Sequence, residues 1–167
     1  YEALVDELEA QSRKLAEELK KSRYSGTRPG KGGLLWPTDG RVTSNYGWRT
    51  DPIHGSRRFH SGVDIGAPQG APIYATQAGQ VAYSGRYKGY GNVVVLYHGN
   101  NLFTLYGHTA HNYVQRGETV QRGQAIAAVG STGRSTGPHL HYEVRVDGNP
   151  IDPMRYIRAG GEIAPLL

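Results

Sequence analysis

Seven histidines stand at positions 54, 60, 98, 108, 111, 139 and 141, and the chain has no cysteine. Two short segments concentrate the residue types that hold metals. The first is Phe59-His60-Ser61-Gly62-Val63-Asp64-Ile65-Gly66. Side chains alternate along an extended chain, so His60, Gly62 and Asp64 share one face while Phe59, Val63 and Ile65 take the other. Gly62 puts no side chain between the two potential ligands. The second segment is Pro138-His139-Leu140-His141-Tyr142-Glu143-Val144. Here His139, His141 and Glu143 share a face opposite Leu140, Tyr142 and Val144. Each segment thus offers polar groups on one side and an apolar anchor on the other.

With no thiolate to use, any metal must be held by His, Asp or Glu. A hydrolytic zinc site takes three such ligands and leaves a fourth position for water. His60, Asp64 and one of the paired histidines would supply two neutral imidazoles and a carboxylate. The metal would then bring the pKa of its water to about 7. The other paired histidine would remain beside the metal as a proton carrier. H-x-x-x-D or H-x-H alone is a weak signal. Together, each after a glycine-rich turn and flanked by core residues, they point to a metal site. The plainer alternative is a buried His60–Asp64 pair with His139 exposed.

The remaining histidines carry less. His108 ends a strand in Tyr106-Gly107-His108, aimed either at a site or at solvent. His98 is expected at a hairpin turn and His111 in a polar loop, both solvated. His54 lies in Asp51-Pro52-Ile53-His54-Gly55, a turn-like loop that could approach a substrate.

The elements that must position these groups read as β. Gln80 to Tyr83, Asn92 to Tyr97 and Leu102 to Tyr106 are β-prone runs, the last two joined by a His98-Gly99-Asn100-Asn101 turn. Val114, Val120 and Ile126 alternate with Gly117 and Gly123 at intervals of three, as where strands of a small barrel or sandwich turn corners. Leu140 to Val146 alternates as a strand. Asp152-Pro153 supplies an N-cap and first-turn proline for a short helix, Met154 to Ile157. The fold class is therefore mainly β, an antiparallel sheet forming an open barrel or sandwich. Before it, residues 1–23 read as a short helix with a coiled-coil seam through Val5, Leu8, Ser12, Leu15 and Leu19. Residues 24–33 read as a flexible linker, 34–158 as the globular domain and 159–167 as a loose tail.

Composition sets outer bounds. The 167 residues include 24 glycines, 12 tyrosines and 9 prolines, and the net charge is +5. A basic balance favours anionic partners such as nucleic acid, acidic lipid or an acidic wall polymer. No Lys/Arg cluster is interleaved with aromatics along one element, which argues against nucleic acid. No apolar run approaches the ~20 residues that span a bilayer. The chain starts at Tyr1 rather than Met and reads as a fragment, so the missing export signal says nothing of compartment.

Beyond these patterns, His60 followed by Gly62-Val63-Asp64-Ile65-Gly66-Ala67-Pro68, then Tyr106-Gly107-His108, then Gly130-Ser131-Thr132-Gly133 and Thr136-Gly137-Pro138-His139-Leu140-His141, resembles the lysostaphin-like zinc metallopeptidases. The resemblance covers roughly residues 34–158. It implies a mostly antiparallel sheet around a groove, and one Zn2+ held by His60, Asp64 and His141. It also implies that His108 and His139 are the catalytic histidines. The implied activity is an endopeptidase that cuts stem peptides or cross-links of peptidoglycan, in the bacterial envelope on its periplasmic or extracellular side. His54, Arg57 and Arg58 would then meet substrate carboxylates, which favours direct cross-links over a pentaglycine bridge. The N-terminal helix would recruit a coiled-coil partner or self-associate, with membrane anchoring open upstream of Tyr1. A rival expectation is a non-catalytic or autoinhibited envelope scaffold that activates other wall hydrolases, although no family ligand is missing here. A lipoyl-type carrier, suggested by the Val114–Ile126 pattern, lacks a lysine after Lys88.

Overall fold

A computed structural model of the chain describes residues 34–50, 55, 57–87, 89–132 and 137–155; of 49–50 and 57–58 it describes the backbone alone. The expected helix over 1–23, the linker over 24–33, the tail over 159–167 and His54 lie outside the described residues.

The described chain is built almost wholly of antiparallel strands. In order they are β1 (Arg41–Ser44), β2 (Gly47–Thr50), β3 (Arg57–His60), β4 (Val63–Gly66), β5 (Pro72–Tyr74) and β6 (Gly79–Tyr87). Then come β7 (Gly91–Gly99), β8 (Leu102–Asn112), β9 (Thr119–Val120), β10 (Ala125–Val129), β11 (His139–Val146) and β12 (Asn149–Ile151). Ten strands form one sheet along the path β1-β4-β11-β8-β7-β6-β9, with β10 and β5 branching from β8 and β12 flanking β11; β2 and β3 form a separate hairpin. The mainly β expectation therefore holds.

Strand β8 is the hub. Leu102 to Gly107 pair with β11, whereas Thr109 to Asn112 pair with β10. The change of partner falls at His108, whose φ is 60°.

Alternation divides the central strands between two buried layers. Val63, Ile65, Val94, Leu96, Tyr106, Leu140, Tyr142 and Val144 join Val114, Val120 and Ile126 in the main core. The regularly spaced apolar residues of 114–126 are thus core positions, and Gly117 and Gly123 between them take φ of 93° and 85°, as turns require. On the other face of the sheet, Tyr90, Val93, Val95, Tyr97, Phe103 and Leu105 form a smaller cluster.

Four expectations need correction. His98 is not solvated: its exposure is 0%. The turn is confined to Asn100 and Asn101, with φ of 51° and 62°, so β7 runs on through His98. Segment 60–64 is not one extended strand either. It breaks at Ser61-Gly62, so His60 closes the β2–β3 hairpin and Asp64 belongs to the main sheet. His111 lies within β8 rather than in a loop, though it is exposed as expected. The short helix is a 3-10 turn, Pro153–Arg155, capped by Asp152 Oδ1 accepting from the Met154 amide at 3.0 Å; Ile157 lies outside the described residues.

A hydrogen-bond chain runs through the main core, and His98 fixes its direction. His98 Nδ1 donates to the Ala78 carbonyl at 2.9 Å, so Nε2 accepts from Thr104 Oγ1 at 2.6 Å. Thr104 then accepts from Tyr106 (2.8 Å), Tyr106 from Thr76 (2.9 Å) and Thr76 from Tyr142 (2.9 Å). Protonating His98 would turn its Nε2 into a donor and displace the proton that Thr104 gives it. Burial in any case disfavours the imidazolium and pushes the His98 pKa down to about 4.

The folded state therefore prefers neutral His98, while the unfolded chain binds a proton at the ordinary histidine pKa. This contribution is complete above about pH 6.5 and is lost as pH falls toward 4. His98→Gln should lower the urea midpoint at pH 7, and the gap from wild type should narrow at pH 5. A gap independent of pH would show that His98 does not titrate in this way.

Candidate metal centre

Strand register brings the first ligand pair together. Asp64 on β4 stands directly opposite His141 on β11, and His141 stands opposite Gly107 on β8. One glycine allows the approach. A side chain at Gly62 would place its Cβ 2.2 Å from the Tyr142 carbonyl oxygen. At Gly107 a Cβ would make ordinary contact, 3.5 Å from the His141 Cβ and from the Tyr90 ring. His60 arrives from the hairpin, and its Nδ1 donates to the Asn45 carbonyl at 2.8 Å.

Three imidazoles converge on one carboxylate oxygen. Asp64 Oδ1 lies 2.9 Å from His141 Nδ1, 3.3 Å from His60 Nε2 and 3.7 Å from His139 Nε2. Burial alone would raise the Asp64 pKa, but hydrogen bonds from His141 and His60 outweigh it and hold the group well below the usual carboxylate range. His141 is likewise opposed by burial. Its two carboxylate partners, Asp64 and Glu143, nevertheless raise it to about 9. In the metal-free chain this cluster is thus an imidazolium beside carboxylates.

The same donors suit a cation. Among the described residues, His60, Asp64 and His141 form a group whose ligand atoms lie within 4.8 Å of one another. The far nitrogens of both histidines are already tied, His60 Nδ1 to Asn45 and His141 Nε2 to Glu143. Such second partners orient ligand histidines toward a metal and fix their tautomer. Two imidazoles and a carboxylate match the ligand set of hydrolytic zinc sites, so the residues fit the expected ion.

Glu143 was visible in the sequence as a member of the His139–His141 face, but not as a part of the site. It is fully buried and accepts four hydrogen bonds. Ser61 Oγ (2.6 Å), Tyr90 OH (2.8 Å) and His141 Nε2 (2.7 Å) donate to its Oε2, and Arg145 Nε donates to Oε1 at 2.7 Å. Arg145 is buried too and also donates to the Gly148 carbonyl at 2.8 Å. Burial would raise the Glu143 pKa, but the Arg145 charge and these donors hold it well below the carboxylate range.

The two further histidines border the cluster. His108 lies 4.9 Å from the His139 ring and 5.9 Å from the His141 ring, between centroids. Each gives its Nδ1 proton to a backbone carbonyl: His108 to Thr132 at 2.6 Å, His139 to Gly137 at 2.9 Å. Burial, helped by the charge on His141, pushes the His108 pKa down to about 4. At neutral pH its Nε2 is therefore an acceptor. The substrate-contact expectations stay open, because His54 and the side chains of Arg57 and Arg58 are outside the described residues.

A mainly antiparallel sheet with a His/Asp/His cluster against its second face is the arrangement of a metallopeptidase domain. The comparisons agree. Residues 58–153 match the profile of Peptidase family M23, and the chain belongs to that family. It shares its fold with the catalytic domain of lysostaphin. It is 46% identical over 114 residues to the DD-carboxypeptidase/endopeptidase Mpg of Neisseria meningitidis serogroup B, covering 68% of this chain and 26% of that protein. It is 37% identical over 123 residues to the murein hydrolase activator NlpD of Salmonella typhimurium, covering 73% of this chain and 30% of that one. The crystal structure of a zinc-containing peptidase from Vibrio cholerae superposes with a TM-score of 0.70 at 38% identity, covering 74% of this chain and 40% of that chain. The chain thus spans less than a third of the length of these curated relatives.

Removing the Glu143 charge would strand Arg145 in the interior. Glu143→Gln should destabilise the chelated chain by about 3–5 kcal/mol, the usual effect of breaking a buried pair. Adding Arg145→Met should recover part of that loss. Thermal and urea unfolding of the two variants check this; a double variant less stable than Glu143→Gln would contradict it.

Proposed function

We propose that the chain is a zinc metalloendopeptidase that hydrolyses peptide bonds in peptidoglycan, with one Zn2+ on His60, Asp64 and His141. The observation that carries this reading is the convergence of His60 Nε2 and His141 Nδ1 on Asp64 Oδ1, with His108 and His139 alongside. The zinc-containing relative and the DD-peptidase relative support it.

Zinc bound there would polarise the scissile carbonyl and acidify a bound water. The chain's own groups handle the protons. His108, kept neutral by burial and holding its Nδ1 proton on the Thr132 carbonyl, takes the proton of the attacking water on Nε2. It then passes that proton to the leaving amine. His139, anchored through Nδ1 on Gly137, turns Nε2 toward the cluster, and in its imidazolium form, with a proton on each nitrogen, donates from Nε2 to the carbonyl oxygen as negative charge gathers there. Glu143 orients His141 but stays clear of the substrate, because it is buried beneath that ring.

The substrate reading is directly cross-linked peptidoglycan, met by His54, Arg57 and Arg58. Support comes from the 46% identical relative named as a DD-peptidase. A second reading, a scaffold that activates other hydrolases, has the support of the 37% identical activator. The presence of all five His and Asp groups in one cluster favours the enzyme. An envelope location facing the wall follows from either reading.

Chain purified without chelators should carry one zinc per molecule, and Asp64→Ala should lose it, since the only anionic ligand is gone. His108→Ala and His139→Ala should keep the metal while hydrolysis falls by roughly 10²-fold or more. Loss of metal from His139→Ala with retention in His141→Ala would reverse the two assignments. Offered side by side, directly cross-linked dimers should be cut faster than pentaglycine-bridged ones. The opposite order would overturn the substrate reading.

A further inference from the structure

His108 is held in a conformation that its own backbone resists. At a φ of 60° it occupies the left-handed region, which crowds the Cβ of a non-glycine residue against its own backbone. The position explains why. Up to Gly107, β8 is paired with β11, and from Thr109 it is paired with β10. The pairing of β8 with β7 loses its regular register over the same stretch, between Asn92 and Val94. The His108 amide leaves the ladder and donates to the Tyr90 carbonyl at 2.8 Å.

Thr132 fills the gap this leaves. Asn92 and Thr109 are register partners on β7 and β8, and the Asn92 amide donates to Thr132 Oγ1 at 3.0 Å. The same hydroxyl donates to the Thr109 carbonyl at 2.8 Å. One side-chain oxygen is thus inserted into a backbone ladder, satisfying a donor on one strand and an acceptor on the next. The Asn92 side chain reinforces the joint by donating to the Thr109 carbonyl at 3.2 Å. The backbone carbonyl of Thr132 is in turn the acceptor for His108 Nδ1 at 2.6 Å. The strand leading to Thr132 is seated by Gly130, where any Cβ would fall 2.5 Å from the Ala110 nitrogen.

We infer that Thr132 is the positioning residue for His108: its inserted hydroxyl fixes the carbonyl that takes the His108 Nδ1 proton, and so fixes the tautomer and aim of that imidazole. Thr132 acts through the histidine. Serine offers the same oxygen in the same place, whereas valine keeps the shape and removes both hydrogen bonds. The effect on rate rests on the proposed role of His108; the effect on the ring does not.

The test is a long-range nitrogen–proton correlation spectrum of the histidine rings in the full zinc-loaded chain, with hydrolysis of a cross-linked peptidoglycan dimer measured in parallel. Wild type should show His108 as a single Nδ1–H tautomer, and the Asn92 amide should exchange with solvent as slowly as neighbouring ladder amides of β7. Thr132→Val should divide the ring between tautomers and lower kcat by roughly tenfold to a hundredfold, the range for a misplaced catalytic group. KM and zinc content should not change, and Thr132→Ser should restore both ring and rate. A single Nδ1–H tautomer in Thr132→Val overturns the inference, whatever the rate. So does a mixed ring or a loop-like Asn92 exchange rate in wild type, which decides the matter even where the valine variant does not fold. If His108→Ala keeps the full rate while Thr132→Val still scrambles the tautomer, the catalytic reading of His108 fails and the positioning inference stands.

Discussion

The antiparallel register of β11 against β4 sets Asp64 across from His141 and Gly66 across from His139. Side chains alternate along a strand, so a slip of one residue would exchange the two faces of β11. His139, His141, Glu143 and Arg145 would enter the main core, and Leu140, Tyr142 and Val144 would leave it. Both outcomes are prohibitive, because one buries charge without partners and the other exposes the centre of the apolar cluster. The register that makes the core is therefore the register that makes the site. Gly62 lies in the same arrangement, since any side chain there would meet the backbone of β11.

Across the second face of the sheet the chemistry changes in steps. Around β7 the layer is apolar, with Val93, Val95, Tyr97, Phe103 and Leu105. Next comes a buried ion pair, Arg145 with Glu143, and then His141 and Asp64 at the partly open end. The closed side excludes water, so the carboxylate of Glu143 must be met by fixed donors. It fixes His141 in return, through a hydrogen bond that water does not compete for. An ion pair of this kind is a poor source of net stability. Its consequence here is orientation: the imidazole of His141 can present only Nδ1 to Asp64 and to a cation.

Much of this was legible in the chain. Leu140, Tyr142 and Val144 alternate with the polar residues between them, and that alternation alone predicted which side of β11 faces the core. Val114, Val120 and Ile126 with their intervening glycines read correctly as apolar anchors at turns. The resemblance to lysostaphin-like peptidases carried the assignments of His108, His139 and His141, which spacing left open. What escaped were contacts between residues distant in sequence. Ser61 and Tyr90 meet Glu143 across separations that no periodicity encodes. Arg145 follows Glu143 by two residues on the same strand face, a spacing equally suited to two solvated charges. His98 was misjudged because a turn of two asparagines, rather than four residues, was needed to keep it inside. His60 and Asp64 meet as expected, but across a strand break rather than along one strand.

The central claim is that this cluster performs metal-dependent hydrolysis of wall peptides, and digestion of purified, directly cross-linked peptidoglycan tests it most directly. The zinc-loaded chain and the same chain after chelation would be compared by mass spectrometry of the released fragments. The account predicts that cross-linked dimers are converted to monomers by the loaded chain, not by the chelated one, and again once zinc is restored. Intact dimers in the presence of a chain carrying one zinc per molecule would contradict it and favour the activator reading.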